Sequence, residues 1–135
     1  MASDPLTLDV SKINSLAAFN RWAGFEVLEA KVGEVVLRMA WREEAGQYAG
    51  FLHAGIVAAL VDTACGFAAY TKVGRVLASH FSVSCLSPAT GVAFVAEAKV
   101  VKAGKRQVFT RAELFAENES GERRLVATGE TVLMT

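Results

Sequence analysis

The chain has 135 residues, which is enough for one domain with its own core and too few for two domains of ordinary size. Fourteen basic and fourteen acidic residues cancel, and a formal net charge of zero argues against nucleic acid or an anionic membrane as the main partner. Apolar side chains make up 53% of the sequence, against roughly 45–50% in an average soluble domain, so we expect an oligomer to cover part of them.

The two cysteines and the first nine residues indicate the cellular compartment in which the protein is expected. Cys65 and Cys85 do not form a CxxC pair and stand among small or apolar residues, so neither a disulfide framework nor a zinc site is indicated. Residues 1–9 lack the cationic and apolar regions of a secretion signal. We therefore expect a cytoplasmic protein, and no sequence feature indicates a metal, flavin or nicotinamide cofactor.

The segment 1–24 predicts one short surface helix at the start of a single domain that spans residues 1–135. Ser11 is a suitable N-cap for this helix, and Gly24 is a suitable stop. Between them, four apolar residues recur at helical spacing: Ile13, Leu16, Phe19 and Trp22.

Strand-like patterns occupy most of the remaining sequence. Residues 25–30 and 34–41 predict a β-hairpin with Gly33 at its turn. Four further runs of this kind follow Gly74, at residues 76–86, 92–103, 107–117 and 123–134. They are separated by short turn segments rich in Gly, Pro, Asn and Ser, which is typical of an antiparallel meander.

Residues 51–73 are small or apolar almost throughout, which predicts a long buried helix. Its length also suits a membrane span, but Asp62 near its centre is costly in lipid, and the amphipathic strands need this helix as their core. One long helix against a curved antiparallel sheet is an α+β architecture. Because a single helix covers one face and leaves sheet edges open, we expect at least a dimer.

Asp62 is the first candidate for chemistry. It is the only acid between Glu44 and Glu97 and lies in the most apolar part of the chain. Burying an ionised carboxylate in such surroundings costs free energy unless the charge is paired or takes part in a reaction. Burial also shifts the pKa of the carboxyl group, which is how active sites adjust a base or a nucleophile. The alternative is a hydrogen-bonded structural group.

The start of the long helix is the second candidate. Free backbone N–H groups and the positive end of the helix dipole favour developing negative charge there, and Ala54 and Gly55 are small enough to admit a carbonyl group. Tight helix packing is the alternative explanation for these two residues. Ala54 and Asp62 are eight residues apart, or about 12 Å along one helix, so one chain cannot place both at one carbonyl carbon. An antiparallel helix from a two-fold partner can bring its own Asp62 there.

The segment from Gln47 to Asp62 resembles the hotdog thioesterase superfamily, in particular its PaaI-like and 4-hydroxybenzoyl-CoA thioesterase-like members. These share a Gln or Asn, an L-H-G-G helix start and an Asp or Glu, matched here by Gln47, Leu52-His53-Ala54-Gly55 and Asp62. Residues 86–89 and 104–106 extend the resemblance over nearly the whole chain.

The resemblance implies a hotdog fold and assigns a role to each matched residue. Gln47 would contact the thioester or position water, and the Ala54 amide would polarise the carbonyl. Asp62 would act as general base, or as nucleophile through an anhydride. His53 and Gly55 would shape the helix start. Ala54 departs from the usual Gly, which leaves the amide in place but adds a methyl group.

Further substrate-binding residues are expected outside this segment. Some relatives carry a serine at the start of the strand after the helix, where Ser79 or His80 stands in this chain. Lys105 and Arg106 are candidates for binding the phosphates of CoA, with ordinary surface charge as the alternative. Several aromatic residues either form a floor for an aromatic acyl group or belong to the core: Tyr48, Phe51, Phe67, Tyr70 and Phe81.

The sequence therefore predicts an acyl-CoA thioesterase that acts on an acyl-CoA substrate as a homodimer or as a homotetramer built from two dimers. Two alternatives stay open. A hotdog enoyl-CoA hydratase or dehydratase commonly pairs a His with an acid, and His53 is such a His. A non-catalytic module would bind acyl-CoA without turning it over.

Overall fold

A computed structural model describes residues 4–135. Within this range the helices are α1 (Pro5–Leu16), α2 (Ala18–Ala23) and α3 (Ala54–Val73). The strands are β1 (Glu26–Lys31), β2 (Glu34–Ala40), β3 (Leu77–Cys85), β4 (Ala93–Ala103), β5 (Gln107–Glu117) and β6 (Arg123–Met134). A single 3-10 turn, Glu43–Ala45, lies in the loop between β2 and α3. The predicted hairpin and long helix are confirmed, and β4, β5 and β6 form a meander, but the prediction that β3 begins this meander is wrong, because β3 pairs with β6 and not with β4.

All the strands form one antiparallel sheet in the order β1-β2-β4-β5-β6-β3, and α3 packs across one face of it. Alternate residues of the central strands, such as Leu37, Ala96 and Leu114, point toward α3 and are fully buried. By length and composition alone α3 could cross a membrane, but residues along one side of it, including Leu60 and Ala64, form the core with the sheet. The predicted α+β class is confirmed.

A glycine on β6 allows the helix to approach the sheet closely. A Cβ atom at Gly129 would lie 2.7 Å from the Cγ1 atom of Val61 on α3 and 2.7 Å from the carbonyl oxygen of Ser82 on β3. Both distances are shorter than van der Waals contact, so only a residue without a side chain fits here. The position of the middle of α3, next to Asp62, depends on this contact.

The start of the N-terminal helix differs from the sequence prediction, and Ser11 as its N-cap is wrong. The helix begins earlier, because the Asp4 side chain accepts a hydrogen bond of 2.9 Å from the N–H of Thr7. Pro5 occupies the first turn, where its missing N–H is not needed. The chain then breaks at Ala17 into a second short helix, and Gly24 ends that helix with a φ of 75°, as predicted.

Helix α1 covers one outer edge of the sheet. The Thr7 hydroxyl accepts a 3.0 Å hydrogen bond from the N–H of Ala30 on β1 and lies 3.4 Å from the carbonyl oxygen of the same residue. The Asn14 side chain donates a 2.8 Å bond to the carbonyl of Phe25, just before β1. At the other edge, β3 pairs with β6 alone within residues 4–135, and its residues are exposed almost throughout. The sheet therefore has one covered edge and one open edge.

Thr7→Val tests the covered edge. Valine fills the same space but leaves the N–H of Ala30 without an acceptor, so the free energy of unfolding should fall by about 1–3 kcal/mol. Urea denaturation measures the change. Ser120→Ala, at an exposed serine whose hydroxyl makes no hydrogen bond within residues 4–135, is the control and should stay within about 0.5 kcal/mol of wild type. Equal stability of Thr7→Val and wild type would contradict the edge contact.

Candidate functional site

A cavity of about 570 Å³ opens beside the start of α3. Its walls are mostly apolar: Phe51, Leu52, Val57, Pro88, Ala89 and Val126. Polar groups reach it from a few residues: Gln47, Tyr48, His53 and Ser87. An apolar recess with a small number of polar groups is the usual form of a small-molecule site.

The first turn of α3 leaves one amide free. His53 is the N-cap, and its Nδ1 atom accepts a 2.8 Å hydrogen bond from the N–H of Gly55. The N–H groups of Ile56 and Val57 bond to the carbonyl of His53 at 2.9 and 3.0 Å. Among the described residues, the N–H of Ala54 has no acceptor. Ala54 lines the cavity, so its free amide is a candidate donor to a substrate oxygen.

The cap explains why the residue after Ala54 is a glycine. A Cβ atom on Gly55 would lie 3.0 Å from the Nδ1 atom of His53, so a larger residue would push the imidazole away. Because Nδ1 accepts a hydrogen bond, the ring is unprotonated at that nitrogen and carries its proton on Nε2. His53 therefore caps the first turn of α3 through Nδ1, which leaves Nε2–H as the free polar group of this cavity-lining residue.

Gln47 is held by its own loop. Its Oε1 atom accepts a hydrogen bond from the N–H of Ala49, while its main-chain N–H donates to the carbonyl of Phe51 at 2.8 Å. The N–H of Gly50, whose φ is 81°, donates back to the carbonyl of Gln47 at 3.1 Å. The side-chain oxygen is thus occupied, which leaves the NH₂ group as the free donor of this cavity-lining residue.

The loop after β3 forms the opposite wall, which sequence reasoning did not predict. Cys85, Ser87 and Pro88 line the cavity because the N–H of Leu52 donates a 2.9 Å hydrogen bond to the carbonyl of Ala89. That bond joins two segments far apart in the sequence. The local signal in the loop after β3 is a Ser-Pro turn, which predicts a loop but does not predict which segment packs against it.

Asp62 lies outside this cavity, on the part of α3 that the sheet does not cover completely. Its Oδ1 atom is buried and has no hydrogen-bond partner among the described residues. Burial raises the pKa of this carboxyl above its ordinary value, because the charged form loses water contacts. Asp62 is therefore not a satisfied structural group within the single chain.

The remaining predicted residues lie away from the helix start. The Ser79 hydroxyl donates to the carbonyl of Val132 at 3.2 Å, and His80 lies next to it on the exposed edge strand β3. Lys105 and Arg106 are exposed in the turn between β4 and β5. One chain does not bring these four residues to the cavity.

The aromatic residues divide between the two roles considered for them. Tyr48 and Phe51 line the cavity. Phe67 and Tyr70 pack against the core, and the Tyr70 hydroxyl donates a 3.0 Å hydrogen bond to Asp9. Phe81 on β3 is about half exposed, at 48%.

A central helix wrapped by a six-stranded antiparallel sheet, with a ligand cavity at the helix start, defines a hotdog-fold protein. The chain belongs to the thioesterase superfamily, whose family model matches residues 49–122. This match includes the helix start and Asp62, so the resemblance seen in the sequence is confirmed.

Solved structures agree with this assignment. A thioesterase family protein from Silicibacter pomeroyi is 33% identical, superposes with a TM-score of 0.90, and matches over 96% of both chains. The PaaI protein of E. coli, from the phenylacetic acid degradation operon, shares the fold with a TM-score of 0.84 at 19% identity, over 96% of this chain and 91% of that one.

A candidate esterase of Halobacterium salinarum is 36% identical over 89 residues. The match covers 60% of this chain and 58% of that protein, so it spans little more than half of the curated relative.

His53 offers a test of the helix start. His53→Ala removes the acceptor of the Gly55 N–H and should lower the free energy of unfolding by about 0.5–2 kcal/mol. His53→Asn should restore most of this loss, because asparagine is a strong N-cap. Denaturant titration of the three proteins gives the comparison. If alanine were as stable as histidine, the imidazole would not be the cap.

Proposed function

We propose that the protein is an acyl-CoA thioesterase that hydrolyses an acyl-CoA to a free acid and CoA. One observation carries the proposal. The cavity holds donors for a carbonyl oxygen, from Ala54 and Gln47, but no acid, whereas Asp62 on the same helix has a buried oxygen without a partner. These are two halves of one hydrolytic site that a single chain keeps about 12 Å apart.

A two-fold dimer brings the halves together. Because α1 covers β1, the open strand β3 is the edge at which a second copy can continue the sheet. Pairing β3 with the same strand of the partner sets the two α3 helices side by side in opposite directions. Asp62 of one chain then faces the Ala54 amide of the other. We propose a homodimer of this kind, able to assemble further into a homotetramer.

The donors would polarise the thioester. Its carbonyl oxygen accepts hydrogen bonds from the Ala54 N–H and the Gln47 NH₂ group, which stabilise the negative charge that develops on attack. The partner's Asp62 then acts in one of two ways. As a general base it takes a proton from water, whose oxygen attacks the carbonyl carbon, and the C–S bond breaks to release CoA with that proton. As a nucleophile its own oxygen attacks, the C–S bond breaks, and water hydrolyses the resulting anhydride.

The raised pKa of Asp62 sets the sign of the pH dependence. Both routes need the ionised carboxylate, so kcat/KM should fall as the pH drops through a pKa above the ordinary value for aspartate. The stability of the native protein depends on pH with the opposite sign. Because the folded-state pKa lies above the unfolded-state value, the native protein loses stability as the pH rises between the two.

The cap geometry favours hydrolysis over hydration. A hydratase that used His53 as its general base would need a free ring nitrogen, but Nδ1 is occupied by the Gly55 N–H and Nε2 carries the proton. Loss of enoyl absorbance with a trans-2-enoyl-CoA would reveal hydratase activity.

We place the reaction in the cytoplasm, which suits two cysteines that are both free.

Gln47→Ala should lower turnover by about 10–100-fold, because one oxyanion donor is lost. Gln47→Glu is the sharper control. It keeps an oxygen for the Ala49 N–H but has no NH₂ group, so it should be slow while the loop is intact. Free-thiol release from a panel of acyl-CoAs measures both variants and also ranks the acyl groups. A Gln47→Glu enzyme at wild-type rate would remove the donor role.

Asp62→Asn should lower turnover by about 10²–10⁴-fold while acyl-CoA still binds. The same change should raise the melting temperature, because it removes a desolvated charge. Thiol release and thermal unfolding at neutral pH measure the two effects. Near-wild-type hydrolysis by a folded Asp62→Asn protein would sink the proposal.

An isotope experiment distinguishes the two possible roles of Asp62. Solvent oxygen-18 appearing in Asp62 over successive turnovers indicates the anhydride, whereas label in the product acid alone fits direct water attack.

A mixed dimer tests whether the site is built from two chains. A heterodimer of one Asp62→Asn chain and one Gln47→Ala chain contains one intact composite site. It should regain about half the wild-type turnover per dimer, which a site within one chain could not do.

A further inference from the structure

The loop that forms one wall of the cavity, residues 86–91, is hydrogen-bonded to the sheet at both of its ends. At the first end, two successive N–H groups donate to the carbonyl of Val126 on β6, at 2.8 and 3.2 Å. At the second end, the N–H of Val92 donates to the carbonyl of Glu117 on β5 at 2.8 Å. Between these ends the loop lines the cavity but pairs with no strand within the described part of the chain.

Arg124 on β6 holds the middle of this loop. Its Nη2 atom donates a hydrogen bond of 2.8 Å to the carbonyl of Pro88 and another of 3.1 Å to the hydroxyl of Thr90. The guanidinium group is charged, so these bonds are stronger than bonds between neutral groups. Among residues 4–135, Arg124 is the one side chain that donates hydrogen bonds to the middle of the loop.

Two successive arginines on β6 project to opposite faces of the sheet. Arg123 lies opposite Glu117 and forms ion pairs with it and with Glu97, at 3.0 and 3.2 Å, on the face turned away from α3. Arg124 lies opposite Ala116, which belongs to the core, so it projects from the face that α3 covers. Because β6 begins at Arg123, the side chain of Arg124 lies at the rim of the sheet and reaches the loop.

The loop in turn holds the residue that precedes the helix cap. The carbonyl of Ala89 accepts a 2.9 Å hydrogen bond from the N–H of Leu52, and the next residue, His53, is the N-cap of α3. Arg124 binds the residues on either side of Ala89. A continuous path of hydrogen bonds therefore leads from β6 through the loop to the start of α3, next to the Ala54 amide.

We infer that Arg124 is a positioning residue for the hydrolytic site and holds the 86–91 loop in place before the acyl-CoA binds. Arg124 is not among the residues that line the cavity, so it acts through the loop. A wall that is already ordered loses less conformational entropy when a substrate binds, which lowers KM. The wall contacts the substrate in the ground state and in the transition state alike, so kcat depends on it little. The inference rests on the proposed function in taking thioester hydrolysis as the reaction.

Arg124→Met tests this role, because methionine keeps an unbranched side chain and has no donor. KM for an acyl-CoA, measured by thiol release, should rise by about 3–10-fold, the effect of a hydrogen bond, with kcat within about twofold of wild type. Arg123→Met is the matched control, since it removes the same charge one residue away and breaks contacts on the other face. Its KM should equal that of wild type. A lower kcat at unchanged KM in Arg124→Met would indicate a purely structural role and overturn the inference, as would equal KM values in the two variants.

Two conservative variants grade the effect. Arg124→Lys keeps a charged donor and should recover part of the loss in KM. Thr90→Val removes one of the two acceptors and should raise KM by a smaller factor than Arg124→Met. Combined with Arg124→Met, it should raise KM no further, because both substitutions break the same contact. A further rise in the double variant would contradict that contact.

Amide hydrogen exchange follows the position of the loop without catalysis. The N–H of Leu52 exchanges when it separates from the carbonyl of Ala89, so its exchange should be faster in Arg124→Met than in wild type and unchanged in Arg123→Met. Unchanged exchange in Arg124→Met would overturn the inference. A wild type that releases no thiol from any acyl-CoA would defeat the thioesterase proposal, and the exchange comparison would then decide by itself whether Arg124 holds the cavity wall.

Discussion

One helix must fill one face of a six-stranded sheet, and the rest of the molecule follows from that constraint. The contact is close because Gly129 has no side chain where Val61 packs, and because α3 is built of small and apolar residues. The sheet cannot surround the helix completely, so part of α3 stays uncovered. Asp62 lies on that part, with a buried oxygen that finds no partner within the described chain.

The N-terminus of α3 illustrates how a helix end becomes a selective donor. Four amides lack partners at the start of any α-helix, and a site needs only one of them pointing at a substrate oxygen. His53 removes the choice, because its side chain accepts from the Gly55 amide, its carbonyl accepts from the Ile56 amide, and its own N–H donates to the carbonyl of Ala45. The Ala54 amide is left as the free donor of the first turn.

Much of this architecture was predictable from the sequence, because the signals are local. Alternating strands, turn residues and the apolar run of α3 each lie within a short window, and so does the motif from Gln47 to Asp62. The N-terminal cap was missed because both Ser11 and Asp4 are good N-caps, and Pro5 decides between them only once its place in the first turn is recognised. The cavity wall from Cys85 to Ala89 was missed because it depends on a hydrogen bond between distant segments.

The two edges of the sheet are treated differently, and this limits how the chain can aggregate. A sheet with two free edges can add copies without end and grow into a fibre. Here the hydroxyl of Thr7 and the amide of Asn14 occupy backbone groups of the first strand, and a helix lies over them. Among the described residues, β3 is the edge left open to a second copy, and in the dimer proposed above both outer edges of the joined sheet are covered. Strand addition is therefore self-terminating after one step.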